Sequence, residues 1–233
     1  MNEILFLGFA VFLLTLNLAS FRFGKLYIFL LIVVYSLLMN IFVTKQFVLF
    51  GFQITGGNAL YGAIFLLTDL LSEHYGKKEA FRSIIMGFMV MLIFIVSTQF
   101  LMAFRPSELD FAQESIAILF SLTPRISIGS LLPYALAQSL DVWLFDWVKQ
   151  KTKGRFLFLR NNFSTLISQL VDTIIFTAVG LTAFRFLPID GFIDPAIFWE
   201  VCLATYTIKV IVATLDTPFL YLSYKFIPSE LQS

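Results

Sequence analysis

RNNFSTLISQLVDTIIFTA, residues 160–178, decides how this chain folds. It is largely an apolar run, yet it carries an ionisable Asp172, and Thr165, Gln169 and Asp172 are spaced to share one helical stripe. A carboxylate at the centre of a bilayer costs about 2.5–3.5 kcal/mol on insertion scales, so such a residue has to be satisfied or used. Three other apolar runs carry Asp69, Asp141 and Asp216. Counted from the neighbouring basic connections, all four are expected at one depth, about 12–14 Å from one end of a hydrocarbon core about 30 Å thick. That layer reads as a polar site inside a membrane bundle.

The composition agrees. The 233 residues are 59% hydrophobic and only 13% charged, with a mean hydropathy of +0.88, outside the usual range of soluble domains. Cys202 and His74 are each the only residue of their kind, which excludes an intrachain disulfide and cysteine or histidine metal clusters, so no cofactor or metal is expected. A net charge of +1 argues against a nucleic-acid partner. The amino-terminal MNEILFLGF has no basic n-region and reads as a retained span.

Seven apolar segments follow from hydropathy and length, roughly 3–21, 26–44, 56–73, 83–104, 126–148, 163–187 and 197–224. The third carries Gly56, Gly57 and Gly62, which leaves a re-entrant or broken helix open. Basic residues favour seven crossings. Alternate connections collect Arg22, Lys25, Lys77, Lys78, Arg82, Lys149, Lys151, Lys153, Arg155, Arg160 and Lys225 on one side, against Lys45, Arg105, Arg125 and Arg185 on the other. The positive-inside rule then places the N-terminus outside and the C-terminus in the cytoplasm, in an all-α polytopic bundle. Residues 105–125 read as an external loop with a short interfacial helix, open to a second role as a lid.

Polar residues within the spans are the candidate site. Asn17 reads as packing, and Asn40 as either a helix-to-helix bond or a ligand contact. Tyr134, Gln138, Asp141 and Phe145 share one face of the fifth segment, and Thr165, Gln169, Asp172 and Phe176 repeat that spacing in the sixth. In the seventh, Tyr206, Lys209 and Asp216 form a stripe, with Lys209 in the outer half. Lys209 and Asp216 are two turns apart, about 10 Å, so the ammonium needs a partner from another helix or from a substrate. The GKK at 76–78 lacks the surrounding pattern of a phosphate loop, and HExxH and GxSxG are absent. An aspartyl-protease pair of Asp141 and Asp172 is the remaining enzymatic reading, and a minor one; no enzyme is expected.

Four stretches, TDLLSEHYGKKEA at 68–80, GSLLPYALAQSLDVWLFD at 129–146, LRNNFSTLISQLVDT at 159–173 and YTIKVIVATLDTP at 206–218, resemble the queuosine precursor transporter family, also described as vitamin uptake-like. The resemblance spans residues 35–224 and implies a six-helix core similar to the substrate-binding S components of energy-coupling-factor importers. The chain then divides into an extra N-terminal helix, 1–25, and a core, 26–228, within one transport domain. It also implies uptake, across a bacterial inner membrane, of 7-deazaguanine bases such as the cyano and aminomethyl precursors or queuine for tRNA modification, with an S component of a coupled vitamin importer as the alternative. The expected substrate-binding residues are Asn40, Asp69, Gln138, Asp141, Gln169, Asp172, Tyr206 and Lys209. The expected partners are a purine-like small molecule and the lipid bilayer, and a homo-oligomer is left open.

Overall fold

The computed structural model describes residues 1–120, 123–182 and 194–232, leaving aside the side chains of 123–128. Among them the chain forms eight α-helices: α1 Asn2–Phe23, α2 Lys25–Phe42, α3 Gly57–His74, α4 Lys77–Ala103, α5 Gln113–Phe120, α6 Thr123–Lys151, α7 Leu157–Phe176 and α8 Phe198–Ser223. Seven are long and correspond to the seven apolar segments; α5 is the short helix of the 105–125 loop. The end of the sixth segment, with Arg185, and the side chain of Arg125 lie outside the described residues.

The outer surface is apolar, and the apolar core beneath it also encloses polar side chains. Ile85, Met89, Ile93, Val96 and Phe100 on α4 are exposed, whereas Asn17, Asp69, Gln138, Asp141 and Asp216 are fully buried. An apolar perimeter with polar groups confined to the interior suits lipid as the surrounding solvent. Among the described residues α1, α2, α4, α7 with its continuation to Leu181, and α8 with the turn before it are long and apolar enough to cross a membrane. The chain is a multi-pass membrane protein. Helices α3 and α6 are not among them, because their polar residues lower the mean hydropathy.

Helix α3 is the axis of the bundle. Every residue from Gly57 to Ser72 is buried, and the helix packs against α1, α2, α4, α6 and α8. It is one continuous, unbroken helix. Gly62 permits the approach of α8, since a Cβ there would sit 2.3 Å from Val212 Cγ1. Asn17 of α1 donates to the Ala63 carbonyl at 2.8 Å, the packing role expected of it.

Helix α7 begins six residues before the expected start. Phe156 takes a left-handed conformation at φ 59° and Leu157 opens the helix, so Arg160, Asn161 and Asn162 are buried inside it. A polar triplet reads as a loop in sequence, but here it faces other helices. Beyond Phe176 the helix widens into a π-helical turn, Thr177–Leu181, closed by the Thr182 N–H on the Thr177 carbonyl five residues back at 2.9 Å. Gly180 in this turn meets Gly129 of α6 so closely that a Cβ on Gly129 would lie 2.5 Å from the Gly180 Cα.

The two ends of the bundle differ. At one end strands β1 Gln46–Leu49 and β2 Phe52–Thr55 form an antiparallel hairpin with Leu49 opposite Phe52. Phe50 and Gly51 both have positive φ, 50° and 85°, as a two-residue primed turn requires. At the other end Glu73 of α3 accepts from Arg160 Nε at 3.0 Å and pairs with Arg160 Nη2 at 2.7 Å. Lys149 Nζ lies 3.3 Å from the same carboxylate, and Tyr224 Oη donates to it as well. Helices α3, α6 and α7 and the end of α8 are thus tied at the basic end. Nearby, the Tyr75 hydroxyl donates to Glu230 and holds that carboxyl below its ordinary range.

Candidate functional site

The hairpin end opens into a cavity of about 440 Å³, within the range that holds a small-molecule ligand. Helices α2, α3, α6, α7 and α8 supply its walls. The hairpin contributes Gln53 and Thr55, and α5 contributes Ile118 and Leu119. The short helix of the 105–125 loop therefore touches the cavity.

Asp172, Lys209 and Tyr61 form the polar centre of the wall. Lys209 Nζ pairs with Asp172 Oδ2, Tyr61 Oη donates to Oδ1 at 2.6 Å, and the ammonium lies 4.9 Å from the Tyr61 ring centroid. The partner of Lys209 is thus a carboxylate from another helix. Burial of an ion pair is tolerable when the charges are matched and hydrogen-bonded, as they are here. Each Asp172 oxygen keeps further lone-pair capacity for a donor from the cavity. Asn40 and Asn58 also line the space, as do the rings of Tyr134 and Phe176.

Of the residues expected at the site, the structure brings Asn40, Asp172 and Lys209 to the cavity. Asp69, Gln138, Asp141, Gln169 and Tyr206 are not among its lining. Tyr206 donates to the Leu166 carbonyl of α7 at 3.2 Å, and Gln138 accepts from Thr68 at 3.1 Å. The four aspartates do not form one layer. Asp172 is fifteen residues from the α7 start, whereas Asp69, Asp216 and Asp141 are five, seven and ten residues from the basic ends of α3, α8 and α6. The earlier start of α7 moves Asp172 deeper, level with Lys209, which is fourteen residues from the α8 end. Asp141 accepts from Ser168 at 3.1 Å. Asp172 is instead taken by Lys209 and Tyr61, which leaves no Asp141–Asp172 dyad.

Sequence reasoning missed Tyr61 and Asn58. Tyr61 shares a helical face with the buried Thr68 seven residues on, a periodicity that points it inward; nothing comparable marks Asn58.

A family model described as "Putative vitamin uptake transporter" matches residues 55–223. A Bacillus subtilis (strain 168) protein named "Probable queuosine precursor transporter" is 36% identical over 213 residues, 91% of this chain and 89% of the relative. The "Queuosine precursor transporter" of Escherichia coli (strain K12) is 32% identical over 167 residues, 70% of this chain and 69% of the relative. No solved structure matches the chain. Matched by that model over more than half its length and by the Bacillus protein over most of it, the chain belongs to the vitamin uptake and queuosine precursor transporter family of membrane proteins.

Proposed function

We propose that the chain imports queuosine precursors, 7-deazaguanine bases, across a bacterial inner membrane, binding them in the hairpin-end cavity. The observation that carries this reading is the Tyr61–Asp172–Lys209 group in a cavity walled by aromatic rings. A guanine-like edge offers adjacent N–H donors beside a carbonyl acceptor. Asp172 accepts the donors, Lys209 donates to the carbonyl, and Asn40 or Asn58 supplies an amide for the remaining edge. Tyr134 or Phe176 offers a face for stacking. The names of the two relatives support this cargo. Asp69, Gln138, Asp141, Gln169 and Tyr206 then support the site from behind the cavity wall.

Calorimetry of purified protein against guanine and its 7-deaza derivatives tests the reading. A deazaguanine is expected to bind, and Lys209→Met to weaken it by the worth of a charged hydrogen bond, about 1.5–3 kcal/mol, or tenfold to a hundredfold and more. Lys209→Arg restores this only in part, because a planar fork does not replace a compact ammonium. Unchanged affinity in Lys209→Met removes that residue from the site. The six long helices α2, α3, α4, α6, α7 and α8 form the transporting core with α1 outside it, and the chain acts without coupling subunits. Accumulation in cells lacking every coupling-factor gene separates this from an S component.

In the orientation proposed here all seven long helices cross, the basic end faces the cytoplasm and the cavity opens outward. A cysteine placed at Lys151 is expected to react only with reagent on the cytoplasmic face, and one at Glu108 only from outside. Labelling of both from the same face rules out the seven-crossing topology.

A further inference from the structure

Helix α4 stands behind the cavity wall: among the described residues, none of its side chains lines the cavity. Its one glycine nevertheless meets the site. A Cβ built on Gly87 would lie 2.1 Å from the Tyr134 hydroxyl oxygen, 2.9 Å from Tyr134 Cζ and 3.2 Å from Ser36 Oγ of α2. Tyr134 of α6 is 1% exposed and lines the cavity, so its ring reaches from the cavity back into the notch that Gly87 leaves on α4. Ser36 supports the same wall, since its carbonyl accepts from Asn40 Nδ2 at 2.7 Å and Asn40 lines the cavity.

The other ring named above is seated in a similar way. A Cβ on Gly180, which is not part of the cavity lining, would lie 2.9 Å from Phe176 Cε2 and 3.1 Å from Cδ2. Both rings that offer a face to a flat ligand therefore rest against a glycine.

Ordinary van der Waals separation is about 3.5 Å, so a methyl group at position 87 forces a retreat of more than about 1 Å. Either the phenol end of Tyr134 or helix α4 has to give. The helix is the harder to move. Gly87 shares its buried face with Ser83, Ile84 and Met91, all under 5% exposed, and α4 packs against α2, α3 and α6. A helix held a turn above and a turn below does not withdraw at one residue, whereas a side chain turns about two bonds. With α4 behind it, Tyr134 has the cavity as its open direction. A flat heterocycle stacks at contact distance, so a ring advanced by about 1 Å takes space that its ligand needs.

The geometry points to Gly87 as a positioning residue for ligand binding: by seating the Tyr134 hydroxyl it holds the ring back and sets the width of the cavity. Gly180 does the same for Phe176. The width follows from the packing alone; its consequence for 7-deazaguanines rests on the import reading.

Calorimetry of purified full-length Gly87→Ala with 7-cyano-7-deazaguanine tests this. Affinity is expected to fall about tenfold. In a Tyr134→Phe background the atom nearest the new methyl is gone, and the same substitution should cost about threefold or less. An equal loss in both backgrounds is the mark of a distorted helix and overturns the proposal. Wild-type affinity in Gly87→Ala overturns it too, because α4 has then yielded into lipid. Gly180→Ala, compared in the wild-type and Phe176→Leu backgrounds, repeats the test at the second ring, so a Gly87→Ala protein that fails to fold does not shield the proposal; an equal loss there likewise overturns it.

A readout without ligand separates the packing from the cargo. In protein labelled with ¹³C at tyrosine Cζ, the resonance that disappears in Tyr134→Phe should shift in Gly87→Ala while those of the other tyrosines stay in place. An unmoved resonance overturns the seating of the ring. A wild type that binds no deazaguanine while this resonance shifts removes the cargo and leaves the cavity width standing.

Discussion

Asp172→Leu is expected to lower the stability of the protein by about 3–5 kcal/mol and to abolish uptake, because it strands the Lys209 ammonium in the interior without its partner. Lys209 is 5% exposed and its ammonium is bonded to Asp172. Tyr61 also loses the acceptor for its hydroxyl. Asp172→Asn keeps one acceptor oxygen and should lose less, about 1–3 kcal/mol, while still failing in uptake because the charge that meets two donors is gone. The double variant Asp172→Leu, Lys209→Met should recover much of the stability and none of the uptake. Thermal unfolding in detergent beside uptake of a deazaguanine reads both quantities. If Asp172→Leu alone unfolds at the wild-type temperature, the pair is not what holds α7 to α8. Considered without its partner, Asp172 looks removable without a loss in stability; the ion pair reverses that expectation.

Arg160→Met is expected to be equally damaging, at about 3–5 kcal/mol. Arg160 is 1% exposed, and its guanidinium makes a two-point contact with Glu73. It also donates to the Gly154 carbonyl at 2.8 Å and lies 5.6 Å from the Phe145 ring centroid. Without it Glu73 keeps Lys149 and Tyr224, but the loop between α6 and α7 loses its inner support. Arg160→Lys should rescue little, since a single ammonium cannot serve a carboxylate in two-point geometry and a carbonyl at once. Wild-type unfolding and wild-type uptake together in Arg160→Met would show that the cluster at the basic end is incidental.

The bundle was legible because lipid imposes a length on every crossing and polar residues inside such lengths stand out, as Asn17, Asp69 and Lys209 do. What was not legible has two physical sources. Arg160, Asn161 and Asn162 look like a loop to any hydropathy measure, yet a membrane interior with its own polar partners accepts them, so the start of α7 and the depth of Asp172 were misplaced together. Partner identity is the other source. Helical periodicity shows that Lys209 and Asp172 face inward, but only the packing of α7 against α8 shows that they face each other while Asp141 meets Ser168. The hairpin at 46–55 was likewise read only as a connection.

The π-helical turn after Phe176 places a constraint on chain length as well as on side chains. Phe176 and Leu181 both face the cavity, although residues five apart on an α-helix point about 140° away from each other. The wider winding of Thr177–Leu181 brings them to one wall. One residue fewer in this segment would let it relax to ordinary α-helix, swing Leu181 off the wall and pull Gly180 away from Gly129. Gly180 is constrained in identity as well, since a Cβ there would lie 2.9 Å from Phe176 Cε2; for the rest of the turn the number of residues sets the register that the cavity wall depends on.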